Sequence, residues 1–260
     1  MQLGFKQVIR NAIFQGAYVV KLTVCGSSSK GNTMILAYND ISIILDAGIN
    51  PIIVKKALNW NIRNVGFVVV THEHSDHSKY IQHYLDMGIK VYMPRSMSAK
   101  YKSTNIVAVE ERKQYVNGYF KIIPFAVPHD DVECYAYLIY VGGHRIAWLT
   151  DLEYCPYVFK KQKLTDIFCE CNYQKEKVDT QLANYKHKIR GHMRDTTALE
   201  FVRVNANECL NNVILLHMNK ESCDVNEVIE KMQKVAQNAN VDVAEPHKTW
   251  ILDKTDIVPF

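Results

Sequence analysis

The sequence predicts an α/β or mixed layered domain, because apolar runs of strand length alternate with stretches of helical spacing. The chain has 260 residues and is 48% hydrophobic, which is ample for a sizeable core. No stretch resembles a linker, a low-complexity tract or an internal repeat, so we expect a single domain over residues 1–260. Several predicted strands also end in a histidine or a carboxylate.

Short apolar runs bounded by turn residues predict the strands. In chain order these runs are Val19–Val24, Thr33–Ala37, Ile41–Leu45, Phe67–Val70, Ile122–Val127, Ile146–Leu149 and Val213–Leu216. The first two runs flank a predicted turn over Gly26–Asn32.

Helical spacing and helix-start signals predict the helices. Asn50 fits an N-cap with Pro51 in the first turn, and the apolar face that follows contains Ile52, Ile53, Val54, Ala57 and Leu58. A second helix is expected to carry Tyr80, Ile81, Tyr84 and Leu85, and later helices are expected over Thr196–Val204 and Val225–Ala236.

The most informative motif is the cluster Thr71–His77, which directly follows the predicted strand Phe67–Val70. Its candidate ligands are His72, His74, Asp76 and His77. Neutral imidazole and carboxylate are ligands that zinc and its borderline neighbours accept, and a turn after a strand can aim several of them at one point. The cluster therefore predicts a metal site and hydrolysis by a metal-bound hydroxide. The alternative is a solvated polar loop.

Other predicted strands end in residues of the same kind. These residues are Asp46, His129 with Asp130, Asp151 and His217. Strand ends at one edge of an α/β sheet deliver side chains to a shared crevice, so we expect these residues to complete the metal site. Taken singly, His129 fits a turn, Asp151 a helix N-cap and His217 a buried histidine. Histidines without such neighbours, expected at the surface or as satisfied core residues, are His83, His144, His187 and His247.

Composition limits the classes of partner and compartment. A net charge of +4 is too weak to name a partner, but the basic run Lys186–Arg194 would attract an anionic substrate if it lies beside the metal site; the alternative is an ordinary solvated face. Seven cysteines without a C-x-x-C pair predict reduced thiols, with Cys169 and Cys171 in the core. Neither a signal peptide nor a membrane span is recognisable, which predicts a cytosolic protein. Apolar residues in Phe5–Phe14 fit a homodimer contact or a segment docked on its own domain.

The order of these residues resembles that of the metallo-β-lactamase fold hydrolases. The cluster at His72–His77, followed by His129, Asp151 and His217, is similar to the superfamily's two-metal ligand set, and Asp46-Ala47-Gly48 resembles its supporting Asp motif. The resemblance implies an αββα sandwich with the site at one edge of the paired sheets.

Three further elements resemble the YycJ (WalJ) branch, which is related to RNase Z. Gly26–Asn32 is similar to its glycine-serine-rich turn, Glu170–Asn172 to its Glu-Ser-Asn element and Arg190–Met193 to its Arg-Gly-His-Leu element. Tyr173 and Arg194-Asp195 depart from the pattern of this branch. The departures affect the expected substrate contacts but not the expected metal ligands.

The resemblance implies two divalent metal ions, zinc or manganese. One ion would be held by His72, His74 and His129, the other by Asp76, His77 and His217, with Asp151 bridging. Asp76 would also orient the attacking hydroxide. His192 would protonate the leaving alkoxide, with Glu170 fixing its ring; the alternative places His192 at a helix start or at the surface.

The expected function is a metal-dependent phosphodiesterase in which a hydroxide bridging two metals attacks phosphorus. An anionic phosphodiester in DNA, RNA or a cyclic nucleotide is the expected substrate class, and a nuclease is favoured over a cyclic-nucleotide phosphodiesterase on the same scaffold. A lactone or thioester hydrolase is a further alternative, which would have less need of His192. A non-catalytic binding module would require a broken ligand set.

Overall fold

A computed structural model describes residues 19–179, 181 and 185–252, with residues 186–188 described by their backbone only. Its first sheet contains β1 (Val20–Ser28), β2 (Gly31–Tyr38), β3 (Ile41–Leu45), β4 (Val65–Val69), β5 (Lys90–Pro94), β6 (Ile106–Val109) and β14 (Thr249–Ile251). Its second sheet contains β7 (Tyr115–Asn117), β8 (Phe120–Ala126), β9 (Tyr135–Val141), β10 (His144–Leu149), β11 (Asp166–Glu170), β12 (Asn212–Leu216) and β13 (Asn240–Val243).

Both sheets are mixed, and they share one plan. The strand orders are β14-β1-β2-β3-β4-β5-β6 and β13-β12-β11-β10-β9-β8-β7. In the first sheet β14, β1, β2 and β3 pair antiparallel, and β3 to β6 pair parallel. In the second sheet β7 to β10 pair antiparallel, and β10 to β13 pair parallel.

Besides the strands, the described part of the chain forms seven α-helices. They are α1 (Pro51–Ala57), α2 (Ser75–Ser78), α3 (Ile81–Asp86), α4 (Arg95–Ser98), α5 (Tyr185–Gly191), α6 (Asp195–Asn205) and α7 (Val225–Val235). Short 3₁₀ turns cover Ile62–Asn64, Lys160–Gln162 and Lys175–Lys177. Val54 and Ile81 pack with the outer face of the first sheet, while Val202, Val228 and Met232 pack with that of the second.

Alternate residues of each central strand pack into different apolar layers. Ile43 and Leu45 of β3 lie in the layer between the sheets, where they join Trp148 and Phe168 of the second sheet, whereas Ile44 packs under the helices. A strand buried on both faces reads as a continuous apolar run, and such runs were the basis for predicting these strands. The predicted αββα sandwich is confirmed.

Some local predictions were wrong in extent. The predicted turn over Gly26–Asn32 is instead a hairpin, because β1 continues to Ser28 and β2 starts at Gly31. Asn50 does cap α1 by accepting from the Ile52 amide, but Ile52 and Ile53 are 54% and 38% exposed. The seven-residue helix buries only Pro51 and Val54, which lie three positions apart on one side. The helix expected after the metal cluster is α3, with Tyr80 as its N-cap, and α2 is an additional short helix inside the cluster itself.

Several other expectations concern burial and the termini. Cys169 and Cys171 are fully buried, and all seven cysteines, which lie in the described ranges, are free. No helix among the described residues is long and apolar enough to cross a membrane. Phe5–Phe14 lies outside the described residues, so the homodimer and the single-domain organisation stay predictions.

His144 is a satisfied core histidine, one of the two outcomes expected for it. Its Nδ1 lies 2.6 Å from Asp166 Oδ2 at the start of β11. The same carboxylate accepts from the Asn212 amide at 2.6 Å and the Thr165 hydroxyl at 2.7 Å, and Asp166 has no exposed surface.

Replacing this carboxylate should therefore destabilise the fold. Asp166→Ala leaves buried donors without an acceptor, and we expect the free energy of unfolding to fall by about 3 kcal/mol in denaturant titrations. Glu208→Ala removes a carboxylate that pairs with Lys163 at the surface and should leave the unfolding curve almost unchanged. Equal stability of Asp166→Ala and the wild type would contradict this account.

Candidate metal centre

The strand ends of both sheets meet at one cleft of about 360 Å³. Asp46 follows β3, His72 lies just beyond β4, His129 follows β8, Asp151 follows β10 and His217 follows β12. The residues that line the cleft are Ser29, His74, Ser75, Asp76, His129, Asp151, His192 and His217. The predicted convergence of strand ends at one edge is thus present in the structure.

The first cluster in the cleft consists of His72, His74 and His129. Their ligand atoms lie within 4.8 Å of one another. The Nδ1 atom of His129 lies 2.6 Å from the Gly191 carbonyl oxygen, which orients the ring, and its Nε2 lies 3.0 Å from His74 Nδ1. These are the three residues expected to hold one metal.

A second cluster consists of His72, His77 and Asp151. His77 Nε2 lies 3.2 Å from Asp151 Oδ2, while His77 Nδ1 donates to Asp46 Oδ2 at 2.6 Å. Asp46 is 1% exposed and accepts from the backbone amide and the hydroxyl of Thr71 as well. Asp46 therefore orients His77 from behind, as a carboxylate does for a metal-binding imidazole.

A third cluster combines Asp151, Glu170, His192 and His217. His217 Nδ1 lies 3.3 Å from Asp151 Oδ1 and 3.0 Å from Glu170 Oε1, and His192 Nδ1 lies 2.7 Å from the same Glu170 oxygen. The other Glu170 oxygen accepts from the backbone amides of Leu152 and Met193. One oxygen of Asp151 faces His77 and the other faces His217, an arrangement that suits a bridging ligand.

Asp76 lies beside these clusters but belongs to none of the three. Its Oδ2 is 3.6 Å from His77 Nε2, and its side chain is 23% exposed. The structure thus brings together most of the predicted site residues, with Asp76 at the rim of the cleft.

Two buried imidazole nitrogens show whether this donor set fits a cation. The Nε2 atoms of His72 and His217, two members of these clusters, are buried and have no hydrogen-bond partner among the described residues. Buried polar atoms are nearly always paired, so such atoms call for a ligand. Imidazole nitrogens together with carboxylate oxygens suit zinc or manganese, and the residues present therefore fit the implied metals.

Burial and neighbouring charges set the protonation of the cleft. Burial lowers the pKa of His72 well below its ordinary value, which keeps the ring neutral with a lone pair for coordination. Burial also opposes the charged form of His77, yet Asp151 and Asp46 outweigh it and hold the pKa of His77 well above the ordinary value. For His192 burial is again opposed, mainly by Glu170, and its pKa rises to about 9.

Three residues of the centre have left-handed backbone conformations. The φ angles are 59° at Asp46, 50° at Asp151 and 49° at His217, each one or two positions after a strand. Side chains other than glycine rarely adopt this region, and the residues that do so cluster at functional sites. A Cβ atom on Gly48 would meet the Asp76 carbonyl oxygen at 1.6 Å, so the Asp46-Ala47-Gly48 turn requires glycine there.

The sequence analysis missed three residues that contact the candidate ligands. The Thr71 hydroxyl lies 3.0 Å from His72 Nδ1, the Asn172 amide donates to the His217 carbonyl oxygen at 2.8 Å, and Asn32 Nδ2 lies 2.8 Å from His77 Nε2. Each stands inside or next to a motif already recognised, but a polar residue beside a ligand in sequence does not reveal which atom it contacts.

Comparison with known proteins assigns the family. A family model described as the beta-lactamase superfamily domain matches residues 42–218. The chain belongs to the beta-lactamase superfamily. The resemblance to metallo-β-lactamase fold hydrolases is therefore confirmed. The metallo-β-lactamase fold protein YhfI from Bacillus subtilis superposes with a TM-score of 0.69 at 18% identity, covering 89% of this chain and 99% of that one.

Two curated relatives of this superfamily member are nucleases by name. A ribonuclease Z of Clostridium kluyveri is 27% identical over 137 residues, covering 43% of this chain and 44% of the relative. The exodeoxyribonuclease YycJ of Bacillus anthracis is 26% identical over 145 residues, covering 51% of this chain and 54% of the relative. The chain spans about half the length of the curated relatives it matches.

The Asp46–His77 contact can be tested against a matched pair elsewhere in the fold. Asp46→Asn removes the carboxylate charge behind His77, and we expect the affinity for one of two metal equivalents to fall about 10- to 100-fold. Asp166→Asn removes an equally buried carboxylate that also lies 2.6 Å from a histidine, at the opposite end of β11. Calorimetric titration with Zn²⁺ measures the metal affinity of each metal-free variant. Similar affinities in Asp46→Asn and Asp166→Asn would contradict the assigned role of Asp46.

Proposed function

We propose that the protein is a metal-dependent hydrolase that cleaves phosphodiester bonds, most consistent with a nuclease. The candidate ligands of the two ions are His72, His74, Asp76, His77, His129, Asp151 and His217. Two divalent ions, zinc or manganese, would supply an activated water and stabilise the negative charge that develops on the phosphoryl oxygens. The names of the two curated nuclease relatives support this class of substrate.

The observation that carries the proposal is the placement of His192 beside the candidate ligands. Its ring centroid lies 4.9 Å from that of His217 and 6.0 Å from that of His129, and the ring lines the same cleft. Phosphodiester cleavage expels an alkoxide, which is a poor leaving group and needs a proton. The buried Glu170 carboxylate orients the ring through Nδ1, so His192 is placed to act as the general acid.

The other residues of the cleft would orient the candidate ligands and bind the substrate. Glu170 is held by two backbone amides and therefore presents one fixed oxygen to both His192 and His217. Asp151 and Asp46 hold the two sides of the His77 ring. Ser29 and Ser75 line the cleft opening, where their hydroxyls are available to phosphate oxygens.

Metal content is the first test. We expect two metal equivalents per chain after loading, and we expect His72→Ala and His217→Ala each to lose one, because each removes an imidazole that belongs to the candidate metal clusters. Elemental analysis of dialysed protein measures the number of metal ions per chain. His83→Ala, which replaces a half-buried histidine outside the clusters, is the control. Fewer than one equivalent per loaded wild-type chain would favour a non-catalytic binding module.

A substrate screen then separates the possible activities. The loaded protein is incubated with labelled single-stranded DNA, RNA, 3′,5′-cyclic mononucleotides and a lactone, with and without a chelator. Chelator-sensitive cleavage of DNA or RNA is the expected result. Turnover of cyclic nucleotides alone would assign a cyclic-nucleotide phosphodiesterase, and turnover of the lactone alone would reject phosphodiester chemistry.

The role of His192 predicts a dependence on the leaving group. His192→Ala should lower kcat on a natural phosphodiester by about 10²- to 10⁴-fold. A p-nitrophenyl phosphodiester needs little protonation of its leaving group, so its cleavage should fall far less. Parallel measurements of kcat on both substrates, with His83→Ala as the control, test whether His192 protonates the leaving group. Equal losses on the two substrates would show that His192 does not protonate the leaving group.

A further inference from the structure

The β1–β2 hairpin reaches into the candidate metal centre through the side chain of Asn32. This residue is 2% exposed and is the second residue of β2. Its Nδ2 atom lies 2.8 Å from His77 Nε2, 3.3 Å from Asp76 Oδ2 and 3.0 Å from the Ser28 carbonyl oxygen. One amide group therefore contacts two candidate ligands from the cluster that follows β4.

The Ser28 carbonyl determines which way the Asn32 amide points. A carbonyl oxygen only accepts hydrogen bonds, so the amide nitrogen and not its oxygen must face Ser28. An NH₂ group has two hydrogens, and the second points toward Asp76 Oδ2 and His77 Nε2. A flipped amide would place its oxygen against the Ser28 carbonyl and the Asp76 carboxylate, which both repel it.

Asp76 is held more loosely than its neighbours in the centre. Its side chain is 23% exposed, whereas His77 and Asp151 are 0% and 3% exposed. In the part of the chain that the structure describes, the Asn32 amide is the one group that donates a hydrogen bond to its carboxylate. The orientation of Asp76 therefore depends on Asn32.

We propose that Asn32 is a positioning residue that holds the Asp76 carboxylate in the orientation needed to bind the metal shared with His77. The inference rests on the metal-dependent function proposed above and concerns the same centre. When His77 Nε2 coordinates a cation, its lone pair is occupied, so Asn32 can donate its second N–H only to Asp76. A donor from outside the ligand set then orients the ligand, as partners behind metal ligands generally do.

The same hairpin also contacts the ligand contributed by the second sheet. The Ser27 hydroxyl accepts from the His217 backbone amide at 2.9 Å, and Ser27 is 8% exposed. Ser27 and Asn32 are paired across the hairpin. The hairpin thus contacts His217 of the second sheet as well as Asp76 and His77 of the first. These contacts fix the position of Asn32.

The test compares Asn32→Ala with Asn205→Ala. Asn205 is also fully buried and uses its amide for two hydrogen bonds, to Phe159 and Phe201, outside the cleft. Both variants lose buried hydrogen bonds and should unfold at lower denaturant concentration. Only Asn32→Ala should weaken the binding of one Co²⁺ equivalent, by about 10- to 100-fold, with the other unchanged. Titration followed by the visible Co²⁺ absorption measures each step.

Further variants connect the effect to Asp76. In an Asp76→Ala background, Asn32→Ala should cause no additional loss of Co²⁺ affinity, because Asn32 acts through that carboxylate. If Asn32→Ala does not fold, Asn32→Ser retains a short hydroxyl that does not reach Asp76 and should show the same loss. On any substrate that the wild type turns over, kcat should fall while KM stays within about twofold.

The outcomes separate this inference from the proposed function. Two Co²⁺ equivalents bound by Asn32→Ala or Asn32→Ser with wild-type affinity would overturn the role of Asn32, as would equal effects of Asn32→Ala and Asn205→Ala. A wild-type protein that binds two equivalents but cleaves no phosphodiester would reject the proposed function, and the Co²⁺ titrations would still decide the role of Asn32.

Discussion

The burial of three carboxylates at one edge of two sheets is the constraint on which the centre depends. Asp46, Asp151 and Glu170 are buried, and each lies against at least one imidazole. Buried negative charge is costly unless positive charge or hydrogen-bond donors compensate it. Histidine rings supply that compensation here, and the orphaned nitrogens of His72 and His217 leave room for cations to supply more. The two sheets hold these groups close together and bury them from solvent.

The centre lies on the seam between the two sheets, so neither sheet forms it alone. The first sheet supplies the cluster that contains His72 and His77, and the second supplies Asp151 and His217. The apolar layer between the sheets sets their separation, and the β1–β2 hairpin contacts candidate ligands of both sheets. A cation bound across this seam would therefore be linked to the packing of the whole sandwich.

Most of the architecture and the candidate ligands could be predicted from the sequence, because buried strands read as apolar runs and five of these runs lead to a histidine or a carboxylate. The sequence did not reveal that Ile52 and Ile53 face solvent, since a short helix contacts the sheet along a narrower stripe than its apolar residues suggest. It also did not reveal the contacts of Asn32 and Thr71. Hydrogen bonds between residues more than 20 positions apart depend on strand register, which a linear pattern does not encode.

The left-handed conformations of Asp46, Asp151 and His217 have an evolutionary consequence. Each costs the backbone about 1–3 kcal/mol, which glycine would largely avoid. The backbone alone therefore favours glycine at all three positions, whereas the buried contacts of the side chains favour the residues that are present. In a related chain that retained the sandwich but lost these side-chain contacts, the three positions are therefore the ones where glycine would be expected first.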